Sequence, residues 1–453
     1  MNRRLSHFFT EYGMIFVLLL LCAFFSAVTY SEQNPSDETA AKQLASDLLR
    51  QPGRGGRVLI VVRNQADDAV FARTLEQWLS AGGVHVAGVV SGEPKDARET
   101  LKKLSALGEK LDAIAGNQVT TSWLVFADLG LDFPALGNPR LAKPRSYKWP
   151  NFLKSENLLN IAGQIAVIAI VAIGMTIVII TSGIDLSVGS LIALSAVLAA
   201  RFIRDYAGAA HATALGMMAA CVAAVLLCGL VGVFSGGVVT LFATPPFIPP
   251  FIVTLAMLKV ASGLAYLLAQ GQSIYQLPDS FVWLGLGASF MGIPNAVLLM
   301  LALYMGAHVL MSRMKLGRYI YAVGGNREAA RLSGVPVRGV LLFAYAASGI
   351  LAGLGGVVLA SKYKSGSPTY GNTYELYVIA AVVVGGTSLS GGEGKMLGTL
   401  IGAFTIAVIQ NGMNLTNIGP YTQDVVLGAV ILAAVVLDTL RHRKWGGGSG
   451  AHA

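Results

Sequence analysis

Four stretches of this sequence combine polar or charged side chains with glycine or proline between apolar runs. In the first, Thr181-Ser182-Gly183-Ile184-Asp185-Leu186-Ser187-Val188-Gly189-Ser190, one carboxylate and several hydroxyls separate two apolar segments. A charge inside a bilayer is costly and persists only beside a partner or a wet cavity. The glycines permit a backbone break, and freed backbone groups are tolerated where protein or water meets them. Asp185 and Ser187 therefore read either as part of a substrate path or gate, or as a tight interhelical turn capped by Asp185. The second stretch, Thr244 to Leu255, has Pro245, Pro246, Pro249 and Pro250 within six residues, which excludes a helix interior. It reads as a rigid loop or as pore lining, with Pro246 and Thr254 as the candidate residues. The third runs from Gly324 to Pro336, where Glu328 to Ser333 fits a short helix stopped by Gly334 and Pro336. Such a helix beside the membrane suits the docking of a partner. The fourth, Val384 to Lys395, ends in Gly-Glu-Gly-Lys and invites a phosphate-loop reading. A nucleotide loop needs glycine where Leu389 stands and Ser or Thr where Met396 stands, so the stretch reads as a tight glycine-rich turn.

The elements that must carry these stretches are membrane helices. The chain has 453 residues, 54% hydrophobic and 13% charged, against about 25% charged in soluble domains. Its 53 glycines suit helices packed backbone to backbone in lipid. The net charge of +9 fits basic residues gathered at cytoplasmic helix ends, and no nucleic-acid signature accompanies it. Cys22, Cys221 and Cys228 lie in apolar runs, and the six histidines are scattered without metal-ligand spacing. No catalytic cluster, metal site or cofactor is expected.

Met14 to Tyr30 is an apolar run behind Arg3 and Arg4, read as a retained first span rather than a cleaved signal peptide. The charged stretch 31–150 follows. Within it Val58 to Val62 and Val84 to Val90 read as strands, Ala69 to Ser80 and Asp96 to Leu107 as helices, and Trp123 to Phe126 as a third strand. Alternating strands and helices predict a small α/β domain with a parallel sheet, flanked by linkers at Ser31 to Glu38 and Pro134 to Pro150. Nine further spans are expected at 158–180, 187–205, 212–235, 251–270, 291–311, 339–361, 373–388, 396–414 and 421–440. The fold expected is a polytopic α-helical membrane protein of about ten transmembrane helices with a small inserted α/β domain. Arg313, Lys315, Arg318, Arg327, Arg331 and Arg338 in one loop, and Arg441, Arg443 and Lys444 in the tail, place both termini in the cytoplasm and 31–150 outside.

Residues 150–440 resemble the permeases of ribose-, xylose- and galactose-type bacterial ABC importers. The resemblance rests on Ser182 to Ser190, Pro246 to Leu255, the Gly-Gln-Ser-Ile-Tyr stretch from Gly271, Gly324 to Pro336, and the Gly-Gly-Thr-Ser-Leu-Ser-Gly-Gly run from Gly385. It implies a permease domain over 151–440, after a first segment 1–30 and the insert 31–150, and before a flexible tail 441–453. It implies that the chain is not itself an enzyme. A cytoplasmic ABC ATPase subunit, a periplasmic sugar-binding protein, a second permease copy and membrane lipid would be its partners, and a ribose-like monosaccharide its cargo. Glu328, Ala329, Ala330 and Gly334 look like the Glu-Ala-Ala…Gly element that rests on the ATPase. Asp185, Ser187, Pro246, Thr254 and Gln272 are the candidates for the translocation path, and Gln164, Gln270, Tyr275, Asn411 and Asn414 are further polar residues that serve either a sugar or interhelical hydrogen bonds. The 31–150 insert departs from the family pattern; it resembles part of one lobe of a type I sugar-binding protein and reads as a docking platform, a tethered partial receptor or a spacer. The competing readings are an ion-coupled secondary carrier and a membrane-tethered sugar sensor.

Overall fold

The computed structural model describes residues 3–51, 53, 55–242 and 248–446. Pro246 lies outside the described residues. The chain divides into two compact units: Met1–Thr29 with Asn151–Ala453, and Tyr30–Pro150. Helix α1 (Arg3–Val28) opens the first.

The Tyr30–Pro150 unit contains β1 (Tyr30–Gln33), α2 (Glu38–Arg50), β2 (Arg57–Val62), α3 (Ala66–Ala81), β3 (His85–Ser91), α4 (Pro94–Ala106), β4 (Ala113–Gly116), α5 (Leu129–Asp132), β5 (Arg140–Ala142) and β6 (Tyr147–Pro150). Four parallel strands form a sheet in the order β3-β2-β4-β5. β2 is buried from Val58 to Val62, as a central parallel strand covered on both faces must be. Its side chains alternate: Val58, Ile60 and Val62 pack with Leu44, Leu48, Phe71 and Leu75 of α2 and α3, while Leu59 and Val61 pack with Ala97, Leu101 and Leu104 of α4.

Two expectations for this unit are corrected. Trp123 to Phe126 is not a strand; Leu124–Phe126 is a single 3-10 turn, and the third strand is Ala113–Gly116. β4 is fully buried between β2 and β5 and reads Ala-Ile-Ala-Gly, so it carries one β-branched residue, Ile114, and no polar alternation to mark it as a strand. Phe126 is buried because the 3-10 turn presses it into the core beside α4, which gives the same apolar signal without a strand. Nor are the flanks plain linkers: β1 pairs antiparallel with β6, Tyr30 opposite Pro150 and Gln33 opposite Tyr147, and β5 joins the main sheet. Pairing partners over a hundred residues apart leave no local trace.

The other unit is helical: α6 (Ser155–Ile180), α7 (Val188–Tyr206), α8 (Ala214–Leu241), α9 (Pro250–Ala269), α10 (Asn295–Arg313), α11 (Lys315–Gly325), α12 (Arg327–Leu332), α13 (Val337–Tyr363), α14 (Tyr374–Val384), α15 (Met396–Leu415) and α16 (Pro420–Gly446). Among the described residues six helices, α6, α8, α9, α10, α13 and α15, are long and apolar enough to cross a bilayer. Shorter apolar helical stretches lie at Gly13–Val28, Tyr374–Val384 and Pro420–Val436. This is a polytopic membrane protein. Its centre is α13, whose Gly349 and Gly353 meet Cys228 and Val225 of α8, while Gly232 and Gly236 of α8 meet Tyr345 and its neighbours. A Cβ at Gly232 would lie 2.3 Å from the Tyr345 carbonyl, so these backbones touch only because the side chains are missing.

The expected span 373–388 is corrected. α14 has 11 residues, roughly 16 Å at 1.5 Å per residue, about half of a hydrocarbon core. The preceding segment, Ser365 to Thr373, is not helical and runs along α7: Gly366 lies against Ala196 and Ala200, and Gly371 against Gly189 and Ile192. A helix halved in this way, with irregular backbone buried in protein, is the membrane-protein pattern for a site.

Candidate functional site

The end of α6 and the start of α7 build a re-entrant turn. The chain reverses at Thr181 to Gly183, where the Ser182 amide donates to the Ile179 carbonyl (2.8 Å) and that of Gly183 to Val178 (3.1 Å). Ser182 adopts φ 61°. Asp185 then lies buried, 1% exposed. Its Oδ1 accepts from the Ser187 amide (3.0 Å) and hydroxyl (2.6 Å), and its Oδ2 from the Ser348 hydroxyl on α13 (2.7 Å). Three donors satisfy the carboxylate, which is what burial of such a group demands. Ser348 backs onto Gly174, six residues before the end of α6, so the turn folds back alongside its own helix.

All four singled-out motifs contribute to this turn. From the proline motif, Thr254 Oγ1 donates to the Ile184 carbonyl (3.0 Å). From the third motif and the glycine-rich run, the Gly324 and Ser390 carbonyls both accept from Ser182 Oγ, at 3.1 and 3.0 Å. The Gly392 amide donates to the Ile180 carbonyl (2.8 Å), and Tyr321 Oη donates to the Gly394 carbonyl (2.7 Å). Gly324 is needed for close approach, since a Cβ there would sit 1.7 Å from the Ile180 oxygen.

Directly after Gly324 and Gly325 comes α12. Asn326 caps it, its side chain accepting from the Ala329 amide (2.9 Å). Glu328 and Arg331 form an exposed pair at 2.8 Å. Gly334 ends the helix with φ 82°, the left-handed conformation that glycine alone adopts cheaply. Glu328, Ala329 and Gly334 face outward, whereas Ala330 is buried and packs into the protein. Leu332, 80% exposed on the same short helix, is a residue the sequence reading missed; its signal was an apolar side chain on the face opposite Ala330.

Above the turn, a cavity of about 130 Å³ lies between the start of α7, the middle of α9 and the Pro368 to Glu375 segment. Ser190, Lys259, Ser262, Tyr266, Asn372 and Glu375 line it. Gly189 forms part of its wall; a Cβ there would fall 2.5 Å from the Gly371 carbonyl. Hydroxyls, an amide, a phenol, an ammonium and a carboxylate around a space of this size can surround a small polar solute.

Other expected residues are placed elsewhere. Gln272 is exposed beyond the far end of α9, 18 positions from Thr254, and does not line the cavity. Asn411 exchanges hydrogen bonds with Asn157 (2.8 and 3.0 Å), and Asn414 accepts from Gln423 (2.8 Å); both are interhelical ties. Among the described residues no group of three or more His, Cys, Asp or Glu lies together.

Residues 157–435 match the protein family described as the branched-chain amino acid transport system permease component. The ribose import permease protein of Escherichia coli K12 is 40% identical over 293 residues, 64% of this chain and 87% of that protein. The ribose import permease protein of Bacillus subtilis is 40% identical over 290 residues, 64% and 86% of the two chains. The D-allose transport system permease protein of Escherichia coli K12 is 36% identical over 289 residues, 64% and 85%. No solved structure matches. With most of the permease unit aligned, and with a buried polar turn joined to an exposed helix in a many-span helical protein, the chain belongs to this family of transport-system permease components.

Proposed function

We propose that this chain is the membrane-spanning permease subunit of an ATP-driven importer that takes a monosaccharide across a bacterial inner membrane. The observation that carries the reading is the direct bonding of the α12 stem to the buried turn: Ser182 Oγ lies 3.1 Å from the Gly324 carbonyl, and Gly392 bonds Ile180. A push on exposed Glu328, Ala329, Leu332 and Gly334 is passed through these bonds to the end of α6 and to Ser182, three residues before Asp185. Ala330 seats this coupling helix on the permease. A partner that binds the helix differently in two states can then shift the pathway between them. In this reading a cytoplasmic ABC ATPase subunit supplies that partner, a second permease copy completes the pathway within the lipid, and a periplasmic binding protein delivers cargo. The permease spans 151–440 together with the first helix of 1–30; 31–150 is periplasmic, and both termini, including the tail 441–453, are cytoplasmic. The basic residues between α10 and α13 and in the tail support this orientation.

The family description speaks of branched-chain amino acids, whereas the relatives at 36–40% identity are named for ribose and allose. The cavity favours a sugar, since the hydroxyl, amide and phenol groups of Ser190, Ser262, Tyr266, Thr369, Tyr370 and Asn372 suit vicinal hydroxyls and outnumber the apolar side chains of Ala193, Leu258 and Pro368. Asp185, Ser187 and Thr254 act as the gate beneath it. The test is uptake by cells carrying the complete importer, with labelled ribose, allose and leucine in parallel. Sugar uptake abolished by ATP depletion and insensitive to an uncoupler fits the proposal. Leucine uptake, or sugar uptake collapsed by the uncoupler alone, overturns it.

A further inference from the structure

We propose that the Tyr30–Pro150 unit carries its own binding site for a neutral, polyhydroxylated small molecule of monosaccharide size. A cavity of about 550 Å³ opens at the carboxyl ends of β2 and β3. The sheet is wound both ways from β2: α3 covers one face on the way to β3, and α4 covers the other on the way to β4, which lies on the opposite side of β2. In open parallel sheets ligands bind in the crevice outside the carboxyl ends of the strands, at the reversal of strand order, which here lies between β2 and β4. The cavity sits at the β2 side of that reversal, between loops that lead to α3 and α4 on opposite faces. The loop after β2 supplies Arg63, Asn64 and Gln65 to this cavity, and Trp123 reaches it from beyond β4.

The floor is preorganised. Asp68 is fully buried and accepts from Arg63 Nε (2.8 Å), Arg63 Nη2 (3.1 Å), the Arg63 amide (3.2 Å) and Asn117 Nδ2 (2.9 Å). This one carboxylate ties the loop after β2 to the loop after β4. Of the five guanidinium N–H groups of Arg63, two are engaged, and the others are available at the cavity. Asn64 and Gln65 are exposed beside it. Trp123 is half-buried and fixed in plane by stacking on Phe126, with centroids 6.4 Å apart and planes 9° apart. It offers a flat apolar face beside planar hydrogen-bonding groups, the pairing that suits the C–H and O–H faces of a sugar ring.

Charge selects for a neutral ligand. The Arg63 charge is matched by Asp68, and Lys95 by Glu93 at 3.2 Å. The start of α4, whose unpaired amides favour an anion in other settings, is closed by a capping box in which Glu93 and Asp96 bond each other's amides, Asp96 Oδ2 accepting from the Glu93 amide at 2.8 Å. Two carboxylates at that end repel phosphate.

The proposal does not use the permease assignment. The test is ligand-observed saturation-transfer NMR and titration on the full chain in lipid nanodiscs, with D-ribose, D-allose and L-arabinose as probes and inorganic phosphate as the anionic comparator. The expected result is saturable sugar binding that weakens at least tenfold in Trp123→Ala and in the surface double variant Asn64→Ala/Gln65→Ala. The double variant changes only exposed side chains, so it reports even if Trp123→Ala misfolds. Because the membrane cavity is a second sugar site in the permease reading, Glu375→Ala is run alongside. Binding that vanishes in Glu375→Ala yet survives the double variant overturns the proposal, as does no sugar binding or preferred binding of phosphate. Retention of an ATPase subunit by the same chain reports on the permease reading separately, so the two fail independently.

Discussion

Ser348, in the middle of α13, donates its hydroxyl to the buried carboxylate of Asp185 at 2.7 Å, and so fastens the most central helix to the turn between α6 and α7. The same serine backbone fills the space left by Gly174. Movement of the turn and sliding of α13 along α6 are therefore coupled. Replacing Ser348 by Ala leaves Asp185 one donor short, and a buried acceptor left without its partner costs about 1–3 kcal/mol. Ser348→Ala is expected to lower the melting temperature in detergent and to reduce uptake. An unchanged melting temperature would remove Asp185 from the structural framework.

Gly324 and Ile180 touch so closely that a single methyl group must separate them. Gly324→Ala places a Cβ 1.7 Å from the Ile180 oxygen, which forces the α12 stem off the turn. Normal insertion with ATPase subunit retained but uptake lost is the expected pattern, measured by pull-down and transport side by side. Retained uptake would show that the stem does not carry the coupling.

At the tip, Gly334→Val imposes the left-handed conformation on a branched residue, at a cost of roughly 1–2 kcal/mol. With Glu328→Ala it is expected to reduce co-purification of the ATPase subunit at least several-fold while leaving the permease monodisperse. Leu332→Ser tests the exposed apolar side chain, 80% accessible, in the same assay. Full recovery of the partner with all three variants places docking elsewhere.

Tyr345 Oη is buried without a hydrogen-bond partner in this conformation, above Gly183. Removing a buried, unsatisfied hydroxyl is neutral or stabilising. Tyr345→Phe is expected to keep or raise thermal stability. A drop in uptake at unchanged stability would show that the hydroxyl finds its partner in another state of the transport cycle.

Within the cavity, Lys259→Ala and Glu375→Ala are expected to raise the KM for sugar uptake more than tenfold with surface expression unaltered. Equal losses in Asn411→Ala would argue against the cavity, because Asn411 is tied to Asn157 instead.

The sequence alone determined the membrane class, because runs of about 20 apolar residues have one stable fate in lipid, and it marked the proline and glycine motifs, because only those residues permit a break in a buried backbone. It also marked the short α12 through Gly334 and Pro336, whose helix-stopping effects are local, while the Asn326 cap was seen only in the structure. The tertiary structure decided what these motifs do together. Asp185, Thr254, Gly324 and Ser390 are dispersed over more than 200 positions, and only packing brings them to one turn. It also decided that residues 365–373 run beside α7 as irregular chain, so that α14 is half a span. In the Tyr30–Pro150 unit β4 escaped notice, because its four buried residues, three of them Ala or Gly, owe their strand to neighbours on both sides. Periodicity and capping act over a few residues and are written in the chain; hydrogen bonds and cavities between distant segments exist only once the helices have packed.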